Sequence, residues 1–98
     1  MKLKENSKMV YEYVLEHENE NVTADDIAEA LDLTSRQVNG IVTMAFQRHK
    51  EEVDGNKVEV PLMERVPVEV ENEDGTHSKV KLIKLTDVGR AITVEDAE

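Results

Sequence analysis

The stretch from Thr34 to Lys50, TSRQVNGIVTMAFQRHK, constrains the chain most, because it combines a regular apolar stripe with an outer face free of carboxylates in a chain of formal charge -10. Val38, Ile41, Val42, Ala45 and Phe46 recur at helical spacing and predict one buried face, with Arg36, Asn39, Gly40, Thr43 and Gln47 opposite. Thr34 followed by Gln37 has the form of a capping box, which fixes where this helix begins. Its outer side chains are of the kinds that hydrogen-bond base edges and phosphates, so residues 34–50 read as a recognition helix.

The rest of the composition sets bounds around that helix. A chain of 98 residues is one small domain, expected over residues 1–92, with an acidic, frayed tail at 93–98. One Phe, two Tyr and no Trp make its core aliphatic. There is no cysteine, so disulfides and thiolate metal sites are excluded. No apolar run approaches the roughly 20 residues of a membrane span, and no apolar segment follows the N-terminal lysines, so a cytoplasmic protein without membrane contact is expected.

Net acidity argues against nucleic acid until it is resolved along the chain. Residues 33–50 and 77–86 each carry +3 and residues 1–10 carry +2, whereas residues 11–32 carry -8 and residues 51–76 carry -7. Local field, not net charge, is what an approaching phosphate meets first.

Ahead of residue 34, Asn6 or Ser7 is placed to cap a first helix with Val10, Tyr13, Val14 and His17 on one face. Thr23 is placed to cap a short second helix whose first turn carries Asp25 and Asp26, acids that favour the positive helix end. Ile27, Ala28 and Leu31 face inward, and the sharp turn before Leu33 falls on Asp32. That turn calls for a positive backbone angle, which Asp adopts more readily than most residues.

After Lys50, the segment 51–61 reads as an elaborated connection with a turn at Asp54-Gly55. Two alternating strands follow. Leu62, Val66, Val68 and Val70 share one face of the first, and Val80 and Leu82 answer from the second, with Lys79, Lys81 and Lys84 interleaved. A two-residue Asp74-Gly75 turn puts valine opposite lysine, whereas the odd loop Asp74-Gly75-Thr76 sets Val70 opposite Val80 and Val68 opposite Leu82. The same register places Glu71 beside Lys79 and Glu69 beside Lys81, so these lysines fit cross-strand ion pairs as well as DNA contact.

The run Ile27-Ala28-x-x-Leu31-Asp32-Leu33 followed by Val38 and Ile41 resembles a winged helix-turn-helix. Leu62-Met63-Glu64-Arg65 and Leu85-Thr86-Asp87-Val88-Gly89-Arg90 resemble the flanks of the wing in MarR-type transcriptional regulators. The resemblance covers roughly residues 8–92. It implies an α+β fold that is mainly α, with a three-helix core and a two- or three-stranded wing over residues 62–85. It also implies double-stranded DNA binding and transcriptional regulation. Two departures stand out: Thr76 occupies the place of the family's wing arginine, and the family's long dimerising helices have no counterpart, so a homodimer stays an option that no long dimerisation helix indicates.

The residues expected at the DNA are Ser35, Arg36, Gln37, Asn39, Gly40, Thr43, Gln47, Arg48, Lys50, Lys79 and Lys81. His17, His49 and His77 lack ligand spacing, and no phosphate loop or nucleophile motif occurs, so neither an enzyme nor a cofactor is expected. The competing expectation is a winged helix that uses its acidic surface for protein contacts.

Overall fold

The computed structural model describes residues 3–92 and 94, and of the tail expected at 93–98 only Val94 lies within the described residues. Among these residues the chain is mixed α+β, with four helices and two small antiparallel hairpins. Helices α1 (Glu5–Glu16), α2 (Ala24–Leu31) and α3 (Ser35–Ile41) come first, and α3 runs on into a π-helical turn, Val42–Gln47. Strands β1 (Lys50–Val53) and β2 (Asn56–Glu59) form one hairpin, β3 (Met63–Glu71) and β4 (His77–Leu85) the other, and α4 (Asp87–Ala91) closes the order.

The starts of α2 and α3 and the end of α2 have local causes. Thr23 opens α2 with a reciprocal box, its hydroxyl accepting from Asp26 N at 3.2 Å while its own N–H donates to Asp26 Oδ2 at 3.0 Å. Asp32 ends α2 in the left-handed region, φ 56°, as its position demanded. Thr34 and Gln37 repeat the box at the start of α3, at 3.0 and 2.8 Å. Helix α1 differs from expectation: it begins at Glu5, and Lys4 caps it with no side-chain bond, so neither Asn6 nor Ser7 serves.

The core joins Val10, Tyr11 and Val14 of α1, Ile27 and Ala28 of α2, Val38, Val42 and Phe46, and Leu62, Met63, Ile83 and Leu85 from the root of β3–β4. Tyr11, not Tyr13, is the buried tyrosine of α1. Its stripe runs Ser7, Val10, Tyr11, Val14, one step around from the expected face, and Tyr13 stacks on His17 at its margin. Ile41, Ala45 and Leu31 are only partly buried.

The β3–β4 turn has three residues, as parity required, but they are Glu73, Asp74 and Gly75. Asn72 N donates to Thr76 O at 2.7 Å and Gly75 N to Asn72 O at 3.0 Å, with Gly75 at φ 84°. An Asp74-Gly75-Thr76 loop would put β-branched Thr76 in that left-handed position, so the register moves to spare it. Val68 therefore faces Val80, Val66 faces Leu82, and Glu69 faces Lys79. On this face Leu82 is buried, Val66, Val68 and Val80 are half-buried, and Val70 is exposed. A third segment joins the sheet edge, where Thr23 bridges Leu82 and Ile83 N donates to Val22 O at 2.9 Å.

Candidate nucleic-acid interface

The outer face of α3 is organised by a residue of β3. Arg65, opposite Ile83 at the buried root of the hairpin, extends its guanidinium across to the helix. Its Nε donates to Gln47 Oε1 at 3.0 Å, Nη1 to Asn39 Oδ1 at 2.8 Å, and Nη2 to Thr43 Oγ1 at 2.9 Å and to the Asn39 carbonyl at 3.2 Å. Three side chains spaced four residues apart are thus tied by one planar cation. None of these acceptors is charged, so the fork is satisfied while the charge is not neutralised.

The other expected residues divide by what already engages them. Ser35 donates its hydroxyl to Asp25, and Gln37 is used by the cap of α3. Arg36 and Arg48 are exposed. Gly40 is exposed too, and a Cβ added there meets no atom within 4 Å. It makes no close approach to α1, and the helix backbone lies open on that side. Lys50 is not on the helix: it is the first residue of β1, since the helical segment ends at Gln47.

Lys79 and Lys81 are exposed on β4, on the same sheet face as Arg65, because residues directly opposite in a ladder share a face and alternate positions return to it. A cleft of about 390 Å³ lies between this face and the helices, lined by Arg65, Lys79, Lys81, Asn39, Thr23 and Asp25. Lys84 turns elsewhere, donating to the Glu20 and Glu18 carbonyls beyond the end of α1 at 3.3 and 3.5 Å.

Few cations are ion-paired among the described residues. Arg90 bonds Glu18 at 2.8 Å and Asp87 at 2.7 Å, which raises its pKa, and Lys8 sits 3.8 Å from Glu12. Among the described residues, Arg36, Arg48, Lys50, Arg65, Lys79 and Lys81 on this side form no ion pair, and neither do Lys4, Lys57 and Lys84 elsewhere. Glu69 faces Lys79 yet lies 3.5 Å from His77.

Carboxylates gather instead at the β3–β4 tip. Asp74 accepts from the Thr76 hydroxyl at 2.6 Å and from its N–H at 3.0 Å, and these bonds lower its pKa. No group of three His, Cys, Asp or Glu among the described residues is placed to hold a metal. His17, His49 and His77 each meet a single glutamate, on separate elements. No helix among them is long and apolar enough to cross a membrane.

Sequence reasoning missed Arg65, although a signal existed: it is the one cation at the root of a strand pair whose neighbours on that face, Met63, Ile83 and Leu85, are all apolar. A guanidinium there needs acceptors, and Asn39, Thr43 and Gln47 at four-residue spacing are the supply. Compared with known proteins, the chain matches no family model, no curated protein and no solved structure.

Proposed function

We propose that the chain binds double-stranded DNA as a winged helix and acts as a transcriptional regulator. Helix α3 enters the major groove and the β3–β4 hairpin serves as the wing. One observation carries the reading: the outer helical face bears no carboxylate of its own, and Arg36, Arg48, Lys50, Arg65, Lys79 and Lys81 around it form no ion pair among the described residues. Unneutralised cations gain most from phosphates, whose condensed counterions they release. Arg36, in the first turn of α3, lies where such helices meet base edges, and Lys79 and Lys81 extend the surface along the wing.

The test is a titration of the protein with labelled duplex over a range of salt. The wild type is expected to bind at low salt with a steep salt slope, and exchanging Lys79 and Lys81 for Gln flattens that slope by about one unit per lysine. Gly40→Ala adds an arm in which stability and binding move apart. It stabilises the helix by about 1 kcal/mol, since the space is open, and weakens duplex affinity by placing a methyl on the docking face. Absence of duplex binding at low salt would overturn the proposal.

A second reading rests on the tip, where Glu71, Glu73 and Asp74 are exposed together with no cation among the described residues paired to them. On a protein-binding wing these carboxylates meet a basic partner. On a DNA-binding wing they oppose the phosphates, so exchanging Glu71 and Glu73 for Gln and Asp74 for Asn tightens duplex binding.

A further inference from the structure

We infer that Arg65 converts the outer face of α3 into an array of hydrogen-bond donors, and that this array selects guanine in the major groove. The inference rests on the duplex-binding reading and names what that surface recognises.

A guanidinium carries five N–H groups and no acceptor. Whatever faces it must therefore accept, which leaves no freedom in the amide orientations of Asn39 and Gln47. Oδ1 of Asn39 and Oε1 of Gln47 point at Arg65, and their NH₂ groups point away. Thr43 Oγ1 also accepts from Arg65, so its own proton is left to donate. Neither amide nitrogen donates to another group among the described residues. No buried side-chain nitrogen or oxygen there lacks a partner, and Asn39 is exposed, so both NH₂ groups reach solvent.

The cation polarises each group in the same sense. A hydrogen bond accepted from a charged donor draws electron density toward the amide oxygen and strengthens the N–H on the far side. Three side chains that could each give or take in isolation become givers together, on a helix face that Gly40 leaves open beside them.

Such an array discriminates among base edges. Guanine presents two adjacent acceptors, N7 and O6, in the major groove, whereas adenine and cytosine each place an amino donor there. Donor against donor is repulsive, so a guanine edge is favoured over an adenine edge, where the N6 amino group stands in place of the O6 acceptor. Arg65 is a positioning residue in this scheme, since it acts through Asn39, Thr43 and Gln47.

The experiment measures duplex affinity at fixed salt on matched sites in which a central guanine is kept, replaced by adenine, or replaced by 7-deazaguanine, which lacks the N7 acceptor. The wild type is expected to prefer guanine by about tenfold over either replacement. Asn39→Asp keeps an oxygen toward Arg65, so the fold is retained, but it replaces the outward NH₂ by an acceptor. The ratio of affinities for the guanine and adenine sites is then expected to fall to one or below.

Arg65→Lys keeps the charge but cannot hold three oxygens in one planar fork, so the ratio of affinities for the guanine and adenine sites falls toward one. A purely structural Arg65 would lower affinity for all duplexes alike and leave their ratio unchanged, and that outcome overturns the inference. So does a wild type that binds duplex with a steep salt slope but ranks the three sites equally, a result that leaves DNA binding itself intact. Absence of any duplex binding removes both.

Discussion

The two hairpins share a motif and differ in everything that makes a motif useful. Both are antiparallel and both turn at Asp-Gly, yet β1–β2 places Asp54 and Gly55 both at positive φ, 52° and 81°, whereas in β3–β4 only Gly75 does so. All residues of β1 and β2 are exposed, Val53 and Val58 included. The root of β3–β4 is buried, with Met63, Ile83 and Leu85 at 0%, 1% and 2% exposure. Chain-local turn chemistry is enough to form a ribbon, but a ribbon with no apolar face is marginal by itself. Only the anchored hairpin can hold a side chain at a set distance from α3, and it is the one that supplies Arg65.

The comparison breaks or sharpens first at the apolar root. Ile83→Ala is expected to cost about 2–5 kcal/mol, whereas Val58→Ala stays within about 0.5 kcal/mol, as read from denaturant midpoints. Comparable losses from the two would erase the distinction.

Next in size is Gly89, through which α4 locks the start of β3. A Cβ there would lie 1.9 Å from the Leu62 carbonyl oxygen, the Gly89 carbonyl accepts from Tyr11 Oη at 2.7 Å, and Thr86 N donates to Leu62 O at 3.0 Å. Gly89→Ala should cost about 1–3 kcal/mol by overpacking, visible as a lowered melting midpoint.

Gly55→Ala forces a left-handed alanine, locally a penalty of about 1–2 kcal/mol. Because β1–β2 can open without the core, the global loss is capped by the free energy of that opening. Amide exchange in β1 and β2 should accelerate while exchange at Ile83 and the melting midpoint stay unchanged.

The smallest effect is at Asp74. Its pKa is lowered mainly by the Thr76 hydroxyl, so the turn gains stability above the ordinary carboxylate pKa and loses it as pH falls through the lowered value. In a carboxyl NMR titration, Thr76→Val should move Asp74 back up toward an ordinary aspartate. An unmoved titration would mean that the hydroxyl bond contributes nothing.

Where backbone chemistry alone decides, the sequence was legible: the cap at Thr23, the box at Thr34, the left-handed Asp32 and both Asp-Gly turns follow from what those residues do locally, although the reciprocal bond from Asp26 to Thr23 was not read. The β3–β4 register was read with the right parity, but Gly75 rather than Thr76 had to take the left-handed position, which moved the pairing. Tyr11 was missed because small, polar Ser7 disguised the first member of its stripe. Arg65 was missed because its partners lie 18 to 26 positions away along the chain. Periodicity sees one element at a time, and this contact spans two.

Under the duplex-binding proposal, the π-helical turn sets how far along a duplex one chain reads. In an α-helix, positions four apart drift around the axis by about 40°. A turn closed by i to i+5 bonds, like that from Arg48 N to Thr43 O at 3.0 Å, holds more residues, so the same step drifts the other way. Asn39, Thr43 and Gln47 straddle the change of pitch, and the two drifts offset to leave them in line under one guanidinium. The line is short. It spans at most about 12 Å at the α-helical rise, against about 3.4 Å per base-pair step of B-form DNA, which is three to four steps. A preferred sequence longer than that would need the β3–β4 tip or a second chain on the same duplex.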